Sequence, residues 1–213
     1  MAMPLAVAVS GFKNTGKTTL ALTLLEEILS SGFSAGFVKH TEKEVLSPEK
    51  SDTGRAISLG IPCVYWGSDG AVFEAPGAEM LPEKLEGFFP GNDIIIVEGA
   101  KLTPMPRIWV GTRESCPPGV KGVFAYYDRS AAAGDGKQVF AEGDEKVLAG
   151  KVIDLYRGGE GRVKASLFVG GKKIPLKAFV SEMIAGCASG LILPLKGVNS
   201  LKEGAQIYLK RTK

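Results

Sequence analysis

The chain has 213 residues, 45% hydrophobic and 23% charged, a balance that supplies a core and excludes both disorder and a disulfide-dependent scaffold. Cys63, Cys116 and Cys187 are scattered with no C-x-x-C pair, which argues against a zinc site of ordinary spacing and suits a reducing compartment. The net charge of +3 conceals a division: residues 1–161 carry 16 Lys and Arg against 21 Asp and Glu, or −5, whereas residues 162–213 carry 10 against 2, or +8.

The opening run "MAMPLAVAVSG" has no basic segment and leads directly into a glycine loop, so it does not read as a signal peptide. "LAVAV" (5–9) is a continuous apolar run of the kind buried on both faces of a sheet. From Thr18 to Ser30 the apolar residues Ala21, Leu24, Leu25 and Ile28 recur at helical spacing, and Gly32 supplies a stop. "FSAGFV" (33–38), "PCVYW" (62–66), "NDIIIV" (92–97), "RIWVG" (107–111) and "GVFAYY" (122–127) read as further strands, and "EKVLAGKVIDLY" (145–156) as a closing helix. Alternation of strand and helix predicts an α/β fold with a mostly parallel sheet, whose ligands sit at the carboxyl ends of the strands.

"RGGEGR" (157–162) coincides with the change of charge sign and reads as a linker. The expected division is a nucleotide-binding domain over 1–157, a linker over 158–162 and a small basic α+β module over 163–213. In that module "KASLFVGGKKIPL" reads as a hairpin turning on Gly170-Gly171. A helix follows with Phe179, Val180, Met183, Ile184, Cys187 and Leu191 on one side, then a last strand "AQIYLK" (205–210). The stretch "AFVSEMIAGCASGLILPL" carries Glu182, two serines and a proline, and so reads as a buried helix rather than a membrane span. The cytoplasm is the expected compartment, with no membrane partner.

Gly11, Gly16, Lys17 and Thr18 fall at the spacing G-x-x-x-x-G-K-[ST], between the buried strand and the amphipathic helix. In that setting backbone N–H groups turn inward around phosphate oxygens. Lys17 adds a point charge at the outer phosphates, and Thr18 offers a hydroxyl to Mg²⁺. This pattern specifies a nucleoside triphosphate and is silent on ATP against GTP. "DIIIVEGAK" (93–101) supplies the acidic strand end that accompanies such a loop: Glu98 for the metal or its water, then Gly99, whose backbone can approach a terminal phosphate.

Asp52 and Thr53 stand before a helical segment, where they read either as a cap or, for Asp52, as a member of the Mg²⁺ shell with Arg55 one turn away on phosphate. His40, the one histidine, ends the second strand in "VKHTE" beside Lys39 and reads as structural or substrate-facing. No N-K-x-D segment reads guanine, and no Ser/His/Asp set supports a hydrolase. The basic C-terminal region fits its acidic neighbour, an acidic partner, a phosphate-bearing ligand or plain solvation. It lacks the aromatic-basic pattern of a nucleic-acid surface.

Four blocks in order, "GFKNTGKTTL" (11–20), "FVKHT" (37–41), "SDTGRAISLG" (51–60) and "IIIVEGAKLTPMPRIWV" (94–110), resemble the molybdopterin-guanine dinucleotide biosynthesis protein B (MobB) family. The C-terminal region resembles an extra module that some members carry. The resemblance implies a P-loop fold, a homodimer, and a Mg²⁺-dependent GTP-binding adaptor with weak GTPase activity. Such a protein assists a guanylyltransferase partner, MobA, which joins GMP to molybdopterin. It further implies that Gly11, Lys13, Asn14, Thr15, Gly16, Lys17, Thr18 and Thr19 hold phosphates. Asp52 and Glu98 would serve the metal with Thr18, and the catalytic set would be Lys17, Asp52 and Glu98. Arg55, Lys101, Arg107 and Arg113 would be left to meet an anionic ligand or a partner. Ala100 stands where the family carries an aromatic residue, and no second histidine follows His40. A small-molecule kinase on the same fold, with Asp52 and Arg55 at the acceptor, is the alternative reading.

Overall fold

A computed structural model describes residues 4–77, 82–89, 91–132, 134–135, 137–159, 165–170, 172–201 and 204–209. These fall into two compact units, one taking the residues up to His40 with those from Pro82 onward, the other those from Thr41 to Gly77.

The first unit is built on a parallel sheet. Strands β1 (Leu5–Gly11) and β2 (Ala35–Lys39) are joined by helix α1 (Lys17–Ser30). After the second unit come helix α3 (Pro82–Phe88) and strands β5 (Ile94–Glu98), β6 (Arg107–Val110), β7 (Val123–Tyr127) and β8 (Val139–Phe140), then helix α4 (Glu145–Gly159). The strand order is β2-β5-β1-β6-β7-β8, with every pairing parallel. The α/β expectation holds.

Period-two alternation assigns the two faces of this sheet. Val7, Val9, Ile94, Ile96 and Ile108 pack with Leu20, Leu24 and Ile28 of α1 and Leu148 and Val152 of α4. On the other face Ala8, Ile95 and Val97 pack with Leu85 of α3 and with Ala100 and Met105. Both faces being covered, β5 is buried along its whole length, and its first four residues are all branched aliphatics.

The second unit contains helix α2 (Asp52–Ser58) and an antiparallel hairpin of β3 (Cys63–Trp66) and β4 (Ala71–Glu74). "PCVYW", expected among the strands of the parallel sheet, therefore pairs elsewhere. Its Val64, Tyr65 and Trp66 are exposed, as are Val72 and Phe73 on β4.

The C-terminal residues form the expected hairpin, β9 (Leu167–Val169) with β10 (Lys172–Ile174), and helix α5 (Ala178–Ile192). Gly171 of the turn and residues 160–162 of the linker lie outside the described residues, and Gly158 and Gly159 are the last residues of α4. Two expectations fail. Residues 204–209 form no strand, and α5 is not buried: Phe179 is 72% and Leu191 75% exposed. A pair of three-residue strands has too little surface to cover four helical turns. Ser181 is the buried residue of α5 among those described, and its hydroxyl exchanges hydrogen bonds with the Ala165 backbone (2.8 and 2.9 Å).

Candidate nucleotide site

The glycine loop leaves the carboxyl end of β1, the strand where the sheet order divides. Gly11 packs so closely on β6 that a Cβ there would stand 2.6 Å from the Val110 carbonyl oxygen. Asn14 (φ 63°) and Gly16 (φ 88°) turn the chain through left-handed conformations, which aims successive N–H groups to one side as an anion cradle requires. The Thr15 hydroxyl donates to the Phe12 carbonyl (3.0 Å), and the Lys17 ammonium also donates to that oxygen, spanning the loop. Phe12 is braced edge-on by Trp109 (5.5 Å between ring centroids), and Lys101 lies over its ring (5.2 Å). Lys13, Thr18 and Thr19 are exposed on the loop and the first turn of α1.

Parallel pairing of β1 with β5 places Val9 beside Glu98, and so sets the acidic strand end against the loop. Glu98 Oε1 accepts from the Thr18 hydroxyl (2.9 Å). Its Oε2 is 3.4 Å from Lys39 Nζ, within ion-pair range, yet it is buried and receives no hydrogen bond. A carboxylate only 7% exposed with one bare oxygen carries a desolvation cost that a bound cation would offset. The donor set also suits Mg²⁺, which binds through one or two protein oxygens and completes its shell with phosphates and water. No cluster of three or more His, Cys, Asp or Glu exists among the described residues, so a metal held without phosphate is not supported.

Lys17 feels the charges of Glu98, Lys101 and Lys39. Burial holds the Lys17 ammonium below the ordinary lysine range; Glu98 works against that, and Lys101 and Lys39 add to it. Three cations that feel one another against one anion leave a positive site suited to a polyphosphate.

The loop after Glu98 is fixed from beneath. Gly99 has φ 99°, and a Cβ on it would meet the His40 carbonyl oxygen at 3.0 Å. Its N–H donates to Val9 (2.9 Å), and the His40 N–H donates to the Glu98 carbonyl (2.9 Å). The histidine's backbone thus closes the β2–β5 edge. Arg107, expected to meet a ligand or partner, is instead 1% exposed. Its guanidinium donates to the Ser10 hydroxyl (2.5 Å) and to the carbonyls of Ala100 (2.9 Å), Thr103 (2.6 Å) and Lys121 (3.2 Å). Ser10, fully buried, donates in turn to the Gly99 carbonyl. The sequence offered one hint, a basic residue opening an otherwise apolar strand, "RIWV", but not its partners. Arg113 lies on the surface, bonded to Gln138 (2.6 Å) over the Tyr126 ring.

In the second unit the structure decides what caps α2. Ser51, not Asp52 or Thr53, is the cap, its hydroxyl accepting from the Gly54 N–H (3.0 Å). Asp52 opens the first turn with its side chain 96% exposed and pairs with Arg55 (2.7 Å). With Ser47, Pro48, Ser51, Thr53 and Tyr65 it lines an open cleft of about 320 Å³.

A parallel sheet with a phosphate loop after its central strand and an acidic residue ending the neighbouring strand defines a P-loop nucleotide-binding protein. A family profile described as "MobB: Molybdopterin guanine dinucleotide synthesis protein B" matches residues 6–120, and the chain belongs to that family. A molybdopterin-guanine dinucleotide biosynthesis adapter protein of Haemophilus influenzae (strain ATCC 51907 / DSM 11121 / KW20 / Rd) is 26% identical over 117 residues. The match takes 53% of this chain and 66% of that one, just under two thirds of the relative's length. Among solved structures, Bacillus subtilis MobB aligns with a TM-score of 0.53 at 24% identity, over 70% of this chain and 96% of its own. A MobB protein homologue from Bacillus stearothermophilus aligns at 0.52 and 16% identity, over 72% and 98%. These structures share the fold. No helix among the described residues is long and apolar enough to cross a membrane.

Proposed function

We propose that this protein is a Mg²⁺-dependent GTP-binding adaptor with weak GTPase activity in molybdopterin guanine dinucleotide biosynthesis. The observation that carries the nucleotide half of this reading is the buried Glu98 carboxylate at the end of a phosphate loop, with one oxygen on the Thr18 hydroxyl and the other receiving no hydrogen bond. Family membership carries the pathway half.

In this reading Gly11 to Thr19 cradle the phosphates, and the Lys17 ammonium exchanges the Phe12 carbonyl for phosphate oxygens. Thr18 and Glu98 hold the metal, which supplies charge neutralisation between the outer phosphates. Asp52 is a further carboxylate that would serve the metal in this reading, and Arg55 a further cation for an anionic ligand, both on the family resemblance. Gly99 and Lys101 border the terminal phosphate, on a loop whose position is set by Arg107 and Ser10. Every one of these groups binds or positions. A side chain placed as a strong base is missing from the scheme, which is why turnover is slow and holding the nucleotide is the main property.

The partners of this reading are a guanylyltransferase of the MobA kind and molybdopterin, with a second copy of the chain as dimer mate. The exposed apolar side chains of the β3–β4 hairpin support the dimer. The functional division is a nucleotide domain over 1–157, a connector over 158–162 and a basic module over 163–213, supported by the change of charge sign.

Thermal melting tests the reading. GTP with Mg²⁺ at a hundred times its dissociation constant should add about 2.7 kcal/mol, or roughly 5–10 °C for a chain of this size, and Lys17→Ala should abolish the shift. No shift, or the same shift in the variant, would refute it.

A further inference from the structure

The phosphate loop fixes one end of a nucleotide, and the fold constrains where the other end goes. Thr18, Glu98 and Lys39 mark the metal and terminal-phosphate side, at the end of β5 between its neighbours β1 and β2. The first turn of α1 separates this side from the opposite half of the sheet, where β7 and β8 end, and a triphosphate long enough to cross that turn would reach it. A cleft opens at that place, its lining including Gly16, Thr19, Tyr127, Arg129 and two carboxylates, Glu142 and Glu145. Arg129 touches the loop itself: its Nη1 would stand 3.3 Å from a Cβ on Gly16.

The segments after β7 and β8 carry five carboxylates, and the structure sorts them; Asp135 accepts from the N–H groups of Lys137, Gln138 and Val139 and is spent on its own turn. Asp128 accepts from the Ser130 N–H (2.9 Å) and hydroxyl (2.6 Å). Asp144 accepts from the Ala141 N–H (2.8 Å). Glu145 accepts from the Tyr127 hydroxyl and from the Gly143 N–H (3.0 Å). These three are spent on holding their own turns. Glu142 is different. It is met by the Arg129 guanidinium alone among the described residues, at 3.2 and 3.4 Å to its two oxygens, and its side chain is 64% exposed.

The geometry points to Glu142 as the group that reads the nucleobase, with Arg129 as the residue that aims it and flanks the sugar-phosphate. This rests on the nucleotide reading above and deepens it by naming the base-specificity residue. Guanine presents two donors side by side, its ring N1–H and its exocyclic 2-amino group, and an ionised carboxylate accepts both. Adenine presents a bare ring nitrogen and a C–H on the same edge, which a carboxylate repels. A carboxylate has about four acceptor positions, so Glu142 can take guanine while keeping its guanidinium. This supplies what the missing N-K-x-D segment would have provided, from the loop after a two-residue strand.

The test is a set of dissociation constants for GTP, ITP, XTP and ATP, each with Mg²⁺, for the full chain and for Glu142→Gln. The parent should prefer GTP, with ITP, which lacks the 2-amino donor, about tenfold weaker and ATP weaker still. In Glu142→Gln the carboxamide accepts from N1–H and donates to the 2-oxo group of xanthine. GTP should weaken by at least about tenfold and XTP should gain by a similar factor, inverting the preference. A GTP affinity and base ranking unchanged in the variant would overturn the assignment of Glu142 while leaving the nucleotide site standing. A loss of affinity equal for all four nucleotides would likewise overturn it, as damage to the loop rather than to base reading. Failure of the parent to bind any of the four would overturn the nucleotide reading and this inference together.

Discussion

Asp93 and Glu98 stand at the two ends of one buried strand, and they are treated in opposite ways. At the amino end Asp93 is fully engaged by protein: it accepts from the Ser34 N–H and hydroxyl (both 2.8 Å) and from the Tyr156 hydroxyl (2.7 Å). At the carboxyl end Glu98 receives one hydroxyl, and its other oxygen, 3.4 Å from the Lys39 ammonium, takes no hydrogen bond. The first carboxylate ties β5 to the start of β2 and to α4. The second is left incomplete at the edge where a parallel sheet binds its ligands. Asp52 makes a third case, with its charge in solvent and a neighbouring arginine for partner.

These differences should separate under mutation. The largest effect on folding belongs to Asp93. Burial pushes its carboxyl upward, but the hydrogen bonds from Ser34 and Tyr156 outweigh that and hold it below the usual aspartate range. Its contribution is therefore complete above the unfolded value of about 3.9 and is lost as the pH falls through the folded value. Asp93→Asn should cost about 1–2 kcal/mol at pH 7, and urea midpoints of parent and variant should converge below about pH 4. A gap that stayed constant with pH would remove the charge from the explanation. Nucleotide affinity should not change.

Asp52→Asn should do least. GTP affinity should stay within about twofold, because the group is exposed and its charge is met by Arg55. Single-turnover hydrolysis should fall by about tenfold, the scale of outer-shell partners of a metal. An unaltered rate would return Asp52 to an ordinary surface charge paired with Arg55.

What the sequence revealed divides along the same line. The strand–loop–helix of residues 5–30 and the run of three isoleucines into Val97 and Glu98 were legible because burial on both sheet faces leaves an uninterrupted apolar signature. β8 was not, since two residues carry no periodicity and become a strand only through pairing with Tyr126 and Tyr127. "PCVYW" misled because an exposed apolar hairpin and a buried strand are written with the same residues. The apolar helix α5 misled in the same way: composition states what a surface prefers, not whether this chain covers it. Arg107 shows the limit at the site. Its charge suggested a ligand, and only the fold reveals that its partners are the chain's own carbonyls and Ser10. The cap of α2 was missed by a single residue, Ser51 against Asp52, within the precision with which helix ends can be read.

The central claim is that the bare oxygen of Glu98 exists for a metal on the nucleotide, and calorimetric titration of GTP with and without Mg²⁺ tests it directly. In the parent Mg²⁺ should tighten GTP binding by about tenfold or more, the worth of one charge-assisted contact. In Glu98→Gln the affinity without Mg²⁺ should be kept or improved, with the Mg²⁺ increment gone and folding stability unimpaired. A Mg²⁺ increment of equal size in parent and variant would contradict the account.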